Sequence, residues 1–121
     1  MLNLNSILVF SENPSELGAF YEKVLQKEPE WKEGDYSGFQ AGSGFITIGA
    51  HDKVAGKSQN PERIMFNFET EAVKGEFDRI KALGAEIIAE PYQPDEDPSA
   101  WIATLADIDG NYFQLVTPFK L

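Results

Sequence analysis

Few residues of this chain could do chemistry alone. There is one histidine, His51, followed by Asp52, and there is no cysteine. Thiolate nucleophiles, disulfides and Cys-ligated zinc or iron–sulfur sites are therefore excluded. A single imidazole can act as a general base near neutral pH, but His51 has no evident nucleophile to serve. It cannot supply the two or three histidines of the usual catalytic metal site. Asp95, Glu96 and Asp97 form an acidic, Pro-bounded loop. Three adjacent carboxylates hold calcium weakly, and a solvated loop is their commoner use. Asp107 and Asp109 read as hairpin-turn residues before Gly110. The guanidinium of Arg63 suits a ligand carboxylate or phosphate, or pairs with a surplus acid at a strand start. Asn67 and Gln114 either orient a ligand by hydrogen bonds or satisfy neighbouring polar groups. Trp31 and Trp101 suit stacking against a flat or cationic ligand, or core and interface packing. Tyr36, Phe39, Phe45, Tyr92 and Tyr112 have the same two uses.

The elements that must position these residues come from a chain of 121 residues. A chain of that length buries a sizeable core without disulfide or metal staples. Its 42% hydrophobic and 12% aromatic content is too high for a disordered acidic tail. Twenty acidic against ten basic side chains give a formal charge of −10, which disfavours nucleic acid as a partner. No apolar run approaches the length of a membrane span. The opening MLNLNSILVF lacks a basic segment and a cleavage site, so the expected location is cytoplasmic.

Two amphipathic helices are expected. Asn13 suits an N-cap, Pro14 the first helical position, and Leu17, Phe20, Tyr21, Val24 and Leu25 the apolar stripe. The second helix is expected from about Thr70, with Glu71 in its first turn, a stripe of Val73, Phe77, Ile80 and Leu83, and Gly84 as its stop. Expected strands are Ile7–Phe10, Gly38–Ala41, Phe45–Ala50, Ile64–Phe68, Ala85–Ala89, Trp101–Leu105 and Tyr112–Val116, with a weak one at Glu30–Lys32. An internal repeat organises them. At an offset of 57, Ile7 falls on Ile64, Asn13 on Thr70, Gly18 on Gly75 and Phe20 on Phe77; the last strands match at an offset of 67. Each half reads strand, helix, three strands. Modules of about residues 1–52 and 62–121 are joined by a linker at 53–61.

Side chains alternate across a strand. One face collects Ile7, Val9, Ile46, Ile48, Ile64, Phe66, Phe68, Phe113 and Leu115, which would pack under the helices. The other face carries Ser6, Leu8, Phe10, Phe45, Thr47, Arg63, Met65, Asn67, Tyr112 and Gln114. Apolar walls with a few polar anchors are the composition of a small-molecule pocket, and equally of a half-solvated sheet.

Asn13-Pro14 followed by Phe20-Tyr21-Glu22-Lys23-Val24-Leu25, then Ile80-Lys81-Ala82-Leu83-Gly84-Ala85 and the Asp107-Ile108-Asp109-Gly110-Asn111 turn, resemble the vicinal oxygen chelate superfamily. This is the glyoxalase, bleomycin-resistance and extradiol dioxygenase group, and the resemblance covers nearly the whole chain. It implies an α+β fold in which two βαβββ modules form curled mixed sheets around a cup, as a single domain over 1–121. It also implies a homodimer. Metal-dependent members carry His or Glu at four cup positions, which fall here at Ser6 (or Asn5), Thr47, Arg63 and Gln114. None is a good divalent-metal ligand, and Arg63 would repel a cation.

The expected function is therefore metal-independent binding of a small molecule, such as an antibiotic or metabolite, with no cofactor. The expected binding residues are Ser6, Leu8, Trp31, Phe45, Thr47, Arg63, Met65, Asn67, Trp101, Tyr112 and Gln114. Two alternatives stand beside it: a glyoxalase-like lyase, isomerase or dioxygenase with non-standard ligands, and a degenerate module used for protein association.

Overall fold

The computed structural model describes residues 1–119; the last two residues of the expected second module lie outside that range. The chain divides into two compact units, Met1–Gly56 and Lys57–Leu121. The first contains β1 (Ile7–Phe10), α1 (Pro14–Leu25), β2 (Trp31–Glu33), β3 (Tyr36–Ala41) and β4 (Gly44–Gly49). The second contains β5 (Phe66–Glu69), α2 (Val73–Ala82), β6 (Glu86–Tyr92), β7 (Ile102–Ala106) and β8 (Tyr112–Val116). Each unit is thus a βαβββ module with one four-stranded mixed sheet, ordered β1-β4-β3-β2 and β5-β8-β7-β6. The first and last strands of each module pair in parallel, and the other pairings are antiparallel. No helix of the described residues is long and apolar enough to cross a membrane.

The local causes are plain. Pro14 opens α1 with a preset φ and no wasted N–H. Leu17, Gly18, Tyr21 and Val24 of α1 are buried at helical spacing, facing the buried Val9, Phe39, Ile46 and Ile48 of the first sheet. Val73, Phe77 and Ile80 of α2 have the same relation to Ala103, Leu105, Phe113 and Leu115. Gly42, at φ 61, makes the sharp turn between β3 and β4, where a side chain would be strained.

The repeat is real, but its offset differs from the expected one. Ile7 pairs with Ile46 and Phe66 pairs with Phe113, so β1 and β5 superpose at an offset of 59 while β4 and β8 keep 67. The helices agree, since α1 begins at Pro14 and α2 at Val73. The decisive equivalence is Ser11 with Thr70. The Ser11 backbone N–H donates to Gly49 O, and that of Thr70 donates to Val116 O, each at 2.9 Å. Both hydroxyls then accept the N–H two residues on: Asn13 N to Ser11 Oγ at 2.9 Å, and Ala72 N to Thr70 Oγ1 at 3.0 Å.

That arrangement corrects three expectations. Asn13 makes no side-chain cap; Ser11 does the local hydrogen bonding. Thr70 does not begin α2, because its N–H is still bonded to the last residue of β8; the helix starts at Val73, with Glu76 rather than Glu71 in its first turn. The strand expected at Ile64–Phe68 starts only at Phe66. Its partner β8 begins at Tyr112, and the Arg63 N–H closes a turn onto Asn60 O at 3.1 Å instead of joining a ladder.

Candidate functional site

In the first unit, the sheet face opposite α1 is built from one cross-strand row. Leu8 lies opposite Thr47, Thr47 opposite Gly38, and Gly38 opposite Trp31, so their side chains point the same way. Phe45, two residues before Thr47, shares this face, and Ser6 lies just before β1. Gly38 is the centre of the row. A Cβ there would fall 2.4 Å from Trp31 Nε1, 2.6 Å from Trp31 Cε2 and 2.9 Å from Phe45 Cε1. The indole and the phenyl ring therefore share the space a side chain would take. In the next row Phe10 lies opposite Gly49, and the Tyr36 ring covers that glycine in the same manner. The His51 ring meets Phe10 edge-on with centroids 5.3 Å apart, and its Nδ1 lies 3.2 Å from Asp52.

The Trp31 edge is braced by charge. Glu30 pairs with Lys27 and accepts the Gln40 backbone N–H at 2.6 Å. Lys27 Nζ donates to Gln40 O at 2.8 Å. The ion pair thus takes the place of a further β2 residue against β3. The Lys27 ammonium, then the Gln40 N–H, hold the Glu30 carboxyl below its ordinary pKa.

In the second unit the open face is more polar. Asn67 lies opposite Gln114, and Gln114 opposite Thr104. Gln114 Nε2 donates to Thr104 Oγ1 at 3.0 Å, and Asn67 is exposed. Tyr112 is half-buried on the same face. Arg63 and Met65 are exposed and lie ahead of β5 rather than on it. Trp101 departs furthest from the expected face. It precedes β7 in phase with Ala103 and Leu105, on the helix side, with Lys74 Nζ of α2 at 3.8 Å from its ring centroid. The Trp101 backbone N–H donates to Thr117 Oγ1 at 2.9 Å.

The structure thus gathers Leu8, Phe45, Thr47 and Trp31 on one face, and Asn67, Tyr112 and Gln114 on another. Gly38 and Thr104 belong to these faces and were not among the expected binding residues. A glycine inside an aromatic-rich strand was the available signal for the first. Thr104 had none beyond its strand parity. The offset of 59 makes Met65, not Arg63, the equivalent of Ser6. Hydroxyls at Ser6 and Thr47, a thioether at Met65 and a neutral amide at Gln114 are not the imidazole, thiolate or carboxylate donors of a catalytic divalent-metal site. A depression of about 50 Å³ lies on the helix side of the first sheet, lined by Ser15, Glu22, Asp35 and Ser37. It has room for little more than water.

Residues 6–116 match the profile of the glyoxalase-like domain. The chain belongs to that family, within the vicinal oxygen chelate superfamily. Solved structures of this superfamily share the fold. A glyoxalase/bleomycin resistance protein/dioxygenase family enzyme from Burkholderia phytofirmans PsJN is 21% identical, with 98% of this chain and 100% of that one covered at a TM-score of 0.78. A lactoylglutathione lyase from Agrobacterium tumefaciens is 16% identical, covering 95% and 92% at 0.73. A genomically encoded fosfomycin resistance protein from Listeria monocytogenes is 24% identical, covering 98% and 93% at 0.66. No curated protein matches the sequence.

Proposed function

We propose that this glyoxalase-like protein binds a small organic molecule without a metal. The observation that carries the reading is the Leu8–Thr47–Gly38–Trp31 row, where an indole seated on a glycine stands beside a hydroxyl and apolar walls. Such a surface suits a flat apolar body with a polar handle. Sequestration of an antibiotic or a metabolite is the corresponding role; resistance and lyase functions both occur among proteins of this fold. The four positions Ser6, Thr47, Met65 and Gln114 lack the donors of a catalytic metal centre, which sets a metal-dependent lyase, isomerase or dioxygenase second. A homodimer is part of the proposal, since two such modules per chain and a second copy would complete the assembly the superfamily resemblance implies.

Three measurements test it. Elemental analysis of purified protein is expected to find no stoichiometric divalent metal; one tightly held zinc, nickel, iron or manganese per chain overturns the reading. A thermal-shift screen of antibiotics and metabolites is expected to yield a stabilising ligand. Its binding should be lost in Trp31→Ala and kept in Trp101→Ala. Sedimentation equilibrium at micromolar concentration is expected to show a dimer.

A further inference from the structure

The Trp31 indole and the Thr47 hydroxyl flank Gly38 in one row, on opposite neighbouring strands. Directly opposite positions hold their Cβ atoms about 5 Å apart. The indole leans inward, for its Nε1 is the ring atom nearest the place of a Gly38 Cβ, at 2.4 Å. Its polar edge is therefore over the middle strand, the neighbour of Thr47's strand, and not out at the sheet edge. Among the described residues neither Trp31 Nε1 nor the Thr47 hydroxyl has a hydrogen-bond partner, whereas Tyr36 on the same face is satisfied by Ala50 O at 2.9 Å. An indole N–H only donates, and a threonine hydroxyl can donate.

We propose that Trp31 Nε1–H and the Thr47 hydroxyl form a two-donor seat for one acceptor oxygen, a ligand carbonyl, and that Gly38 is the positioning residue that makes the seat. This rests on the binding reading above and deepens it by naming the ligand chemistry. A carbonyl fits better than a carboxylate. The face carries no lysine or arginine among the described residues, and the chain's charge is −10, so an anion would meet no counter-charge. The body attached to the carbonyl would lie on Leu8 and Phe45, so a flat, unsaturated ketone or amide is the class selected. A side chain at Gly38 would expel the indole from its position without removing either donor.

The test uses the full chain with indole-¹⁵N-labelled tryptophan and two probes at millimolar concentration: acetophenone, and ethylbenzene, which has the same outline without the carbonyl. Trp101→Phe assigns the two indole N–H resonances. Acetophenone is expected to move the Trp31 N–H resonance downfield and to bind about three- to tenfold more tightly than ethylbenzene, the worth of one net hydrogen bond. Trp31→Phe keeps a ring and removes one of the two donors, so it should narrow the difference between the probes. Thr47→Val should narrow the difference, and Gly38→Ala should abolish the resonance shift. If Gly38→Ala does not fold, Trp31→Phe carries the test alone. Equal binding of both probes, lost in Trp31→Ala, would overturn the carbonyl seat and leave the binding reading standing. No perturbation of this face by either probe would overturn the seat. The thermal-shift screen then decides the binding reading separately.

Discussion

The Tyr36 ring fills the space that a side chain at Gly49 would need. A Cβ at Gly49 would lie 2.2 Å from Tyr36 Cε2 and 2.7 Å from Cζ. The ring is held there at its far end, where the hydroxyl donates to Ala50 O at 2.9 Å. Gly49→Ala must therefore displace a tethered ring and not a free one. We expect a loss of about 1–3 kcal/mol, the usual cost of overpacking, read as a lower midpoint in urea unfolding. Tyr36→Ala in the same background should recover part of the Gly49→Ala loss, because it removes the clash.

The two candidate caps of α1 make a second, sharper contrast. Ser11 is buried, and its hydroxyl accepts the Asn13 N–H, while Asn13 makes no side-chain cap. Ser11→Ala should cost about 1 kcal/mol, the typical loss of a helix-entry hydrogen bond. Asn13→Ala should stay within about 0.5 kcal/mol, as surface changes usually do. Chemical denaturation of both variants checks this; the reverse order would refute the assignment.

The clamp on β3 should be sensitive to acid. Glu30 is held below its ordinary pKa first by Lys27, then by the Gln40 backbone N–H. A lowered folded-state value means that the unfolded chain binds the proton more readily. The stabilisation is therefore present above the unfolded-state pKa and is lost as pH falls through the folded-state value. Wild type should exceed Glu30→Gln in melting temperature at neutral pH. The gap should close below the ordinary carboxylate range. The carboxylate is at the surface, so added salt should shrink the gap as well.

Asp107 holds the β7–β8 turn together. Its Oδ1 accepts the backbone N–H groups of Asp109 at 2.9 Å and Asn111 at 3.0 Å, and Asn111 Nδ2 donates to Oδ2 at 3.0 Å. The residue is buried, so Asp107→Ala leaves these donors without an acceptor. A loss of roughly 2–3 kcal/mol follows. In hydrogen exchange, the amides of Asp109 and Asn111 should lose protection before those of α1. Asp107→Asn, which keeps one acceptor oxygen, should fall between.

Much of this fold was legible because short-range chemistry matched long-range packing. Ile7–Phe10, Tyr112–Val116 and the start of α1 at Pro14 follow from apolar alternation and a proline at a helix entrance. The errors have a common cause. Ile64 and Met65 look like strand residues, yet β5 can run only as far as β8 offers a partner, and β8 starts at Tyr112. Thr70 looks like a cap, but its N–H is committed to Val116 O. In both places a backbone bond to a residue more than forty positions away decided the boundary. An offset of 57 rather than 59 then followed, and it placed Arg63 where Met65 belongs.

The candidate site divides the same way. Residue types alone determined that this chain has one imidazole, no thiol, and neither imidazole nor carboxylate at Ser6, Thr47 or Gln114. They also determined that the strands have an apolar face and a mixed one, because alternation is a local property of extended backbone. Only the tertiary structure decided which rows form. Strand register set Gly38 between Thr47 and Trp31, and β7 phase sent Trp101 to the helix side beneath Lys74. Register is fixed by hydrogen bonds between distant segments, so no window of sequence contains it.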